Sequence, residues 1–366
     1  MSKRLCEQLE ARHLLCDTHA AAFARTPTAA NFAAVAVRVS KAAGVDVDSI
    51  ALPAAPSAEL SWTTRAAMPQ KREEGASAVL GGKLYVFGGF YDWTFTGTGR
   101  TDAYDPSTNT WTQRATIPLA LTHAPATVIN GEAWLFGGYV GKDPGPPTNR
   151  VYIYNPTSNT WRRGPDMPAA RGAGAVALVG NTVYYVGGRN ADRSADVAAT
   201  WALNVSSNTW SIKANLPNPR NHIAAATVDG SVYAIGGQWN EASSAINQDD
   251  VHRYDPPSNT WSVVASLPQA MSHSFASTFA YNGQIFVAGG EISHNVSTAK
   301  VLKFSPRSNE WTQVGLLPAA RRAGEAGIIN GKIYFAGGSI VGSQKTDVWM
   351  SSLLDSVLTS PVSAFD

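Results

Sequence analysis

Four arginines and one histidine hold nearly the same place relative to a recurring Gly-Gly doublet: Arg72, Arg171, Arg220, His273 and Arg321. A guanidinium presents a planar fork of donors, so such a set suits a carboxylate, sulfate or phosphate. The same side chains serve equally well to bond the loop backbones of their own repeats. Trp93 and Trp239 are the two tryptophans that fit no strand position. An indole in a loop stacks on a sugar face or anchors a peptide, or else folds over its own repeat. His123, His222, His273 and His294 come from different repeats without a short ligand spacing, so neither a metal nor another cofactor is expected. Glu325 is a carboxylate inside a run of Ala and Gly, just after Arg321 and Arg322. An acid or base there needs a shifted pKa, whereas a structural carboxylate needs only an arginine partner.

The elements that position these residues follow from a repeat. Doublets stand at Gly88-Gly89, Gly137-Gly138, Gly187-Gly188, Gly236-Gly237, Gly289-Gly290 and Gly337-Gly338, in steps of 49, 50, 49, 53 and 48 residues. Each closes a strand-like run such as GKLYVFGG or NTVYYVGG. Trp62, Trp111, Trp161, Trp210, Trp261 and Trp311 keep the same beat. A period near fifty predicts a propeller with one four-stranded blade per repeat. Asn-Gly and Asp-Gly pairs such as Asn130-Gly131 and Asp229-Gly230 predict tight hairpins between the first two strands, a and b. Turn formers in YDPSTNTW and its copies predict the link between the last two, c and d. The aromatic or apolar residue opening that motif, and its Trp, are expected to point between blades.

The spacing also predicts how the ring closes. Trp62 precedes its doublet by 26 residues, as most of the later tryptophans do, so ELSWTTRAAMP reads as a d strand ahead of any a, b or c strand. The last doublet is followed by a c-like strand, TDVWMSS, and no d strand. Six blades follow, the last stitched from both ends of the repeat region, which leaves no open sheet edge. Residues 1–58 read as a targeting-like segment with an Ala/Pro linker, 59–352 as the propeller and 353–366 as a tail. Short helices are expected at Glu7–Leu15 and around Phe32, Val35 and Val39.

A net charge of +2 argues against an electrostatic nucleic-acid or membrane binder, and no apolar run reaches the length of a membrane span. The two cysteines, Cys6 and Cys16, both precede the repeats, so the propeller needs no disulfide.

The Gly-Gly doublet, the aromatic residue seven positions before Trp, and DPSTNTW resemble the kelch family over residues 59–352. That resemblance implies an all-β, six-bladed kelch β-propeller. It also implies that ligands meet the mouth built by the d-to-a and b-to-c loops. Arg72, His123, Arg171, Arg220, His222, His273, Arg321 and Arg322 fall in the first set, and Trp93, Arg189, Trp239 and Glu291 in the second. The implied function is a binding module for a protein or a glycan, with an anionic ligand favoured by the arginines, acting as a monomer. The alternative is an isomerase of an acidic sugar that resembles the sialic-acid mutarotases, with Glu325 as its acid or base. Galactose-oxidase chemistry is excluded, because no cysteine follows Cys16. The segment before the repeats is shorter than the dimerisation domains of ubiquitin-ligase adaptors. Leu9-Glu10-Ala11-Arg12-His13-Leu14-Leu15 is similar to a Leu-Glu-Pro-Arg-x-Leu-Leu segment that opens exported or surface proteins of some bacteria, which points to such a setting, with the cytoplasm as the alternative.

Overall fold

A computed structural model describes residues 59–241, 244–341 and 343–358. The segment with both cysteines, the expected N-terminal helices and the Leu-Glu-Ala-Arg-like sequence lies outside these residues. The described chain forms six antiparallel sheets, five of four strands and one, in blade 5, of five because Glu291–Ser293 adds to it, with a few two-residue pairs in the loops. Blade 1 spans 76–114, blade 2 126–163, blade 3 175–213, blade 4 224–263 and blade 5 278–321. Blade 6 takes its first three strands from 325–353 and its fourth from Trp62–Arg65. That strand lies antiparallel on Val348–Leu353, with Trp62 opposite Ser351 and Arg65 opposite Val348. The first strands of the blades neighbour one another in a closed round.

The hairpin prediction holds in detail. Asn130 and Gly131 have φ of 50° and 78°, and Asp229 and Gly230 have 48° and 73°. These are the left-handed values that a two-residue turn demands. The doublets act differently: they let adjacent blades touch. A Cβ at Gly88 would lie 2.2 Å from the Leu121 carbonyl of the next blade, and the Gly89 N–H donates to that carbonyl at 2.8 Å. The same link recurs from Gly138 to Arg171 and from Gly290 to Arg321.

Large side chains fill the space between blades. Tyr104, Tyr154, Leu203, Tyr254 and Phe304, which open the c-to-d motif, are fully buried. The indole N–H of Trp111, Trp161, Trp261 and Trp311 donates to a carbonyl of the preceding blade at 2.8–2.9 Å. The neighbouring Asn adds a second staple: Asn259 Oδ1 accepts from Ala214 N–H at 2.9 Å and from the Tyr254 hydroxyl at 2.7 Å. The seam between blades 5 and 6 has no such turn, because the c and d strands of blade 6 are not continuous. Buried Leu60 fills it instead, its N–H donating to Val314 O at 3.0 Å. A short helix, Asp355–Leu358, adds buried Val357, whose carbonyl accepts from Lys303 Nζ at 2.8 Å.

Candidate functional site

The propeller mouth is a cavity of about 370 Å³ lined by d-to-a and b-to-c segments. Its inner wall is set by backbone geometry. The d-to-a segment of every blade has one residue in the left-handed region: Glu74, His123, Ala173, His222, His273 and Ala323, with φ of 45–56°. Hydrogen bonds join several of these positions round the ring, for example His123 N–H to Glu74 O at 2.9 Å and Glu74 N–H to Ala323 O at 3.1 Å. Three imidazoles and a carboxylate thus converge from blades about fifty residues apart. His222 and His273 stack with centroids 4.1 Å apart, and His123 meets His222 edge-on at 4.9 Å. Burial drives all three imidazoles below their usual pKa and holds Glu74 well above the ordinary carboxylate range.

The arginines do not form the ring that their spacing suggests. In blade 5 the place aligned with them belongs to Met271, whose carbonyl accepts from Gly237 N–H at 2.8 Å. His273 sits two residues further on, in the inner ring, because that repeat has extra residues, and a short 3-10 turn, Phe275–Ser277, follows. Arg72 and Arg220 are fully buried between blades. Arg72 pairs with Asp102 and donates to Val86 O and Arg100 O, while Arg220 lies 3.3 Å from Asp250. Arg171 stacks on Trp201 at 4.7 Å, and Arg321 stacks on Trp349 and pairs with Asp347. These four are struts between strands.

Arg322, Glu291, His123, His222 and His273 do line the mouth. Arg322 pairs with Glu291 and approaches Glu73 at 3.8 Å. Arg189 is bound to Asp196 at 2.8 Å just behind the wall. Trp93 and Trp239 stand on the rim, 80% and 42% exposed. Sequence reasoning missed Glu73, Asp143, Arg193 and Glu241. Arg193 stacks on Tyr139 at 4.2 Å and reaches Asp143 at 3.1 Å and Glu241 at 3.0 Å. Asp143, Arg193 and Glu241 occupy irregular loops, where the repeat gives no signal, whereas Glu73 holds the repeat position of Arg322. Glu74 also had a signal: it precedes its doublet by the same interval as His123 and His222.

Glu325 lines neither the mouth nor the axial cavity, which is walled by the innermost strands. It is fully buried, and its Oε1 accepts from Gly75 N–H at 3.1 Å. Its charged neighbour is Arg72, not Arg321 or Arg322. Burial pushes its carboxyl up to about 8, against the pull of Arg72.

The architecture defines a six-bladed β-propeller with a polar mouth and a partly apolar rim. Residues 122–338 match the family profile described as the KLHDC2/KLHL20/DRC7 Kelch-repeats domain, and residues 72–118 match the one described as the Kelch motif. The chain belongs to the kelch-repeat family, and it is a kelch-repeat interaction module. Over 88 residues, 24% of this chain, it is 36% identical to Kelch-like protein 35 of Mus musculus, covering 15% of that protein. Over 51 residues, 14% of this chain, it is 47% identical to Kelch-like protein 35 of Homo sapiens, covering 8% of that protein. The matches therefore span only a small part of those relatives. Among the described residues, no helix is long and apolar enough to cross a membrane.

Proposed function

We propose that the module recognises a segment of a protein partner across the mouth face, anchored by apolar side chains on the rim. One observation carries this reading. Trp93, Trp239, Ile246, Val296 and Val341 are large apolar side chains with substantial exposure, and all five lie on b-to-c segments beside the mouth. Exposed apolar groups gathered on one face mark interaction surfaces, and aromatic anchors dominate binding energy.

Charge argues against an anionic ligand. The cavity wall carries Glu73, Glu74, Asp143, Glu241 and Glu291 against Arg193 and Arg322, both already paired. A glycan reading rests on Trp93 and Trp239 as stacking platforms, and the two lie on blades 1 and 4. The acidic-sugar mutarotase has no support in the comparisons, and its acid or base, Glu325, is sealed from both cavities. The bacterial, exported setting rests on the seven-residue segment at 9–15 alone.

The test is a random-peptide display selection against the full chain. Selected peptides should lose at least about tenfold in affinity, or about 1.4 kcal/mol, on Trp93→Asp or Val341→Asp. Ile212→Asp, on the outer strand of blade 3, should change nothing. Binders that ignore both rim substitutions but lose affinity at Ile212 would refute the reading.

A further inference from the structure

We propose that Glu74, His123, His222 and His273 form a site for one divalent transition-metal ion of the zinc class in the mouth. The expectation of no metal rested on the lack of a short ligand spacing in the sequence. The propeller supplies the spacing in another way, by placing one left-handed residue per blade on a common ring.

The donor geometry fits an ion better than it fits hydrogen bonds. His123 Nε2 lies 3.5 Å from Glu74 Oε2, and His273 Nε2 lies 3.5 Å from Glu74 Oε1. Donor atoms of Glu74, His123 and His222 all lie within 4.8 Å of one another. Bonds of about 2.0–2.1 Å to a tetrahedral ion put its ligands roughly 3.4 Å apart. A hydrogen bond between these groups would be shorter, at about 2.7–3.2 Å. Glu74 Oε2 has no hydrogen-bond partner, although the residue is only 4% exposed.

The outer contacts point the same way. Each Nδ1 meets a side-chain oxygen of the preceding residue: Thr122 Oγ1 at 3.0 Å for His123, Asn221 Oδ1 for His222, and Ser272 Oγ at 2.7 Å for His273. Asn221 Nδ2 donates to Asp196, so its oxygen faces the ring of His222. Ser272 Oγ also lies 2.9 Å from Asn247 Oδ1, an acceptor that takes its proton. The Nδ1 atoms of His222 and His273 therefore carry the hydrogens and their Nε2 atoms present lone pairs, and Thr122 Oγ1 can accept from His123 Nδ1 in the same way. For His123 and His273, that lone pair faces the carboxylate of Glu74. Lone pair against lone pair is repulsive unless a proton or a cation lies between them, and a single proton on Glu74 can serve only one of the two imidazoles, whereas one cation serves both. An Nδ1 held by an oxygen is also the usual support of a metal-binding histidine. The two remaining ring positions, Ala173 and Ala323, are small and leave room for the ion. The surplus of carboxylates in the wall favours a dication, and four donors would tie blades 1, 2, 4 and 5 together.

The experiment uses the full chain, stripped with chelator and dialysed against Zn²⁺, with metal counted by atomic emission and coordination read from the visible spectrum of Co²⁺. The wild type should take up one Zn²⁺ per chain, melt at a higher temperature with it, and give the intense bands of four-coordinate Co²⁺. His222→Gln with His273→Gln should lose at least about a hundredfold in affinity. Thr122→Val keeps all four donors and should weaken binding about tenfold, which preserves a readout if the double variant does not fold. No stoichiometric uptake by the wild type, or undiminished uptake by these variants, would overturn the site.

Discussion

Glu325 shows what one residue can reveal about this interior. Its carboxyl is pushed up to about 8 by burial, while Arg72 and the Gly75 N–H favour the ionised form. The folded protein therefore keeps a proton that the unfolded chain releases near its ordinary pKa of about 4.3. That contribution to stability is complete below the unfolded value and is lost as pH rises through about 8. The wild type should lose melting temperature between pH 5 and 9, and Glu325→Gln, which never ionises, should give a flatter profile. Parallel profiles would show that Glu325 does not titrate in this window. The position of Glu325 on an innermost strand was legible in the sequence. Its partner was not, because Arg72 reaches it only through the closure that brings blade 1 beside blade 6. The arginines teach a similar lesson: their common place was visible, but their direction depended on Asp102, Asp250, Trp201 and Trp349, which stand on other strands.

Blades depend on staples between neighbours, and one seam differs from the rest. Asn259 holds φ of 53° while its side chain accepts from Ala214 and Tyr254. Asn259→Ala removes both bonds and leaves a less tolerant residue in the left-handed region, a loss of about 2–3 kcal/mol in denaturant unfolding. A change under half a kcal/mol would mean that the staple is redundant. At the seam of blades 5 and 6, Leu60→Ala should cost about 2–3 kcal/mol by loss of a buried side chain. Deleting residues 1–66 removes the strand on Val348–Leu353 and should lower the melting temperature far more than deleting 1–55. Equal melting of the two truncations would contradict the closure. The spacing of Trp62 announced this strand, since the interval to its doublet is that of a d strand. The seam's own device was only half legible: Leu60 stands two residues before Trp62, where the other repeats carry the stapling Asn, whereas Val357 lies beyond the repeats, where no periodicity marks it.

As a whole, the molecule is a closed ring that brings separate repeats to one face. The fold was readable because its signals are local and recur six times. The mouth was only partly readable, since Glu74, His123, His222 and His273 share no local motif and meet only when the ring closes. The apolar rim belongs to loops of unequal length, where alignment by doublets carries no information. The most direct test of the interaction surface is hydrogen exchange of the full chain with and without a selected peptide. Protection should gather in the b-to-c segments of blades 1, 4, 5 and 6, around Trp93, Trp239, Val296 and Val341, while the outer strands of blades 3 and 4 exchange as before. Protection confined to those outer strands, with the mouth unchanged, would contradict the account.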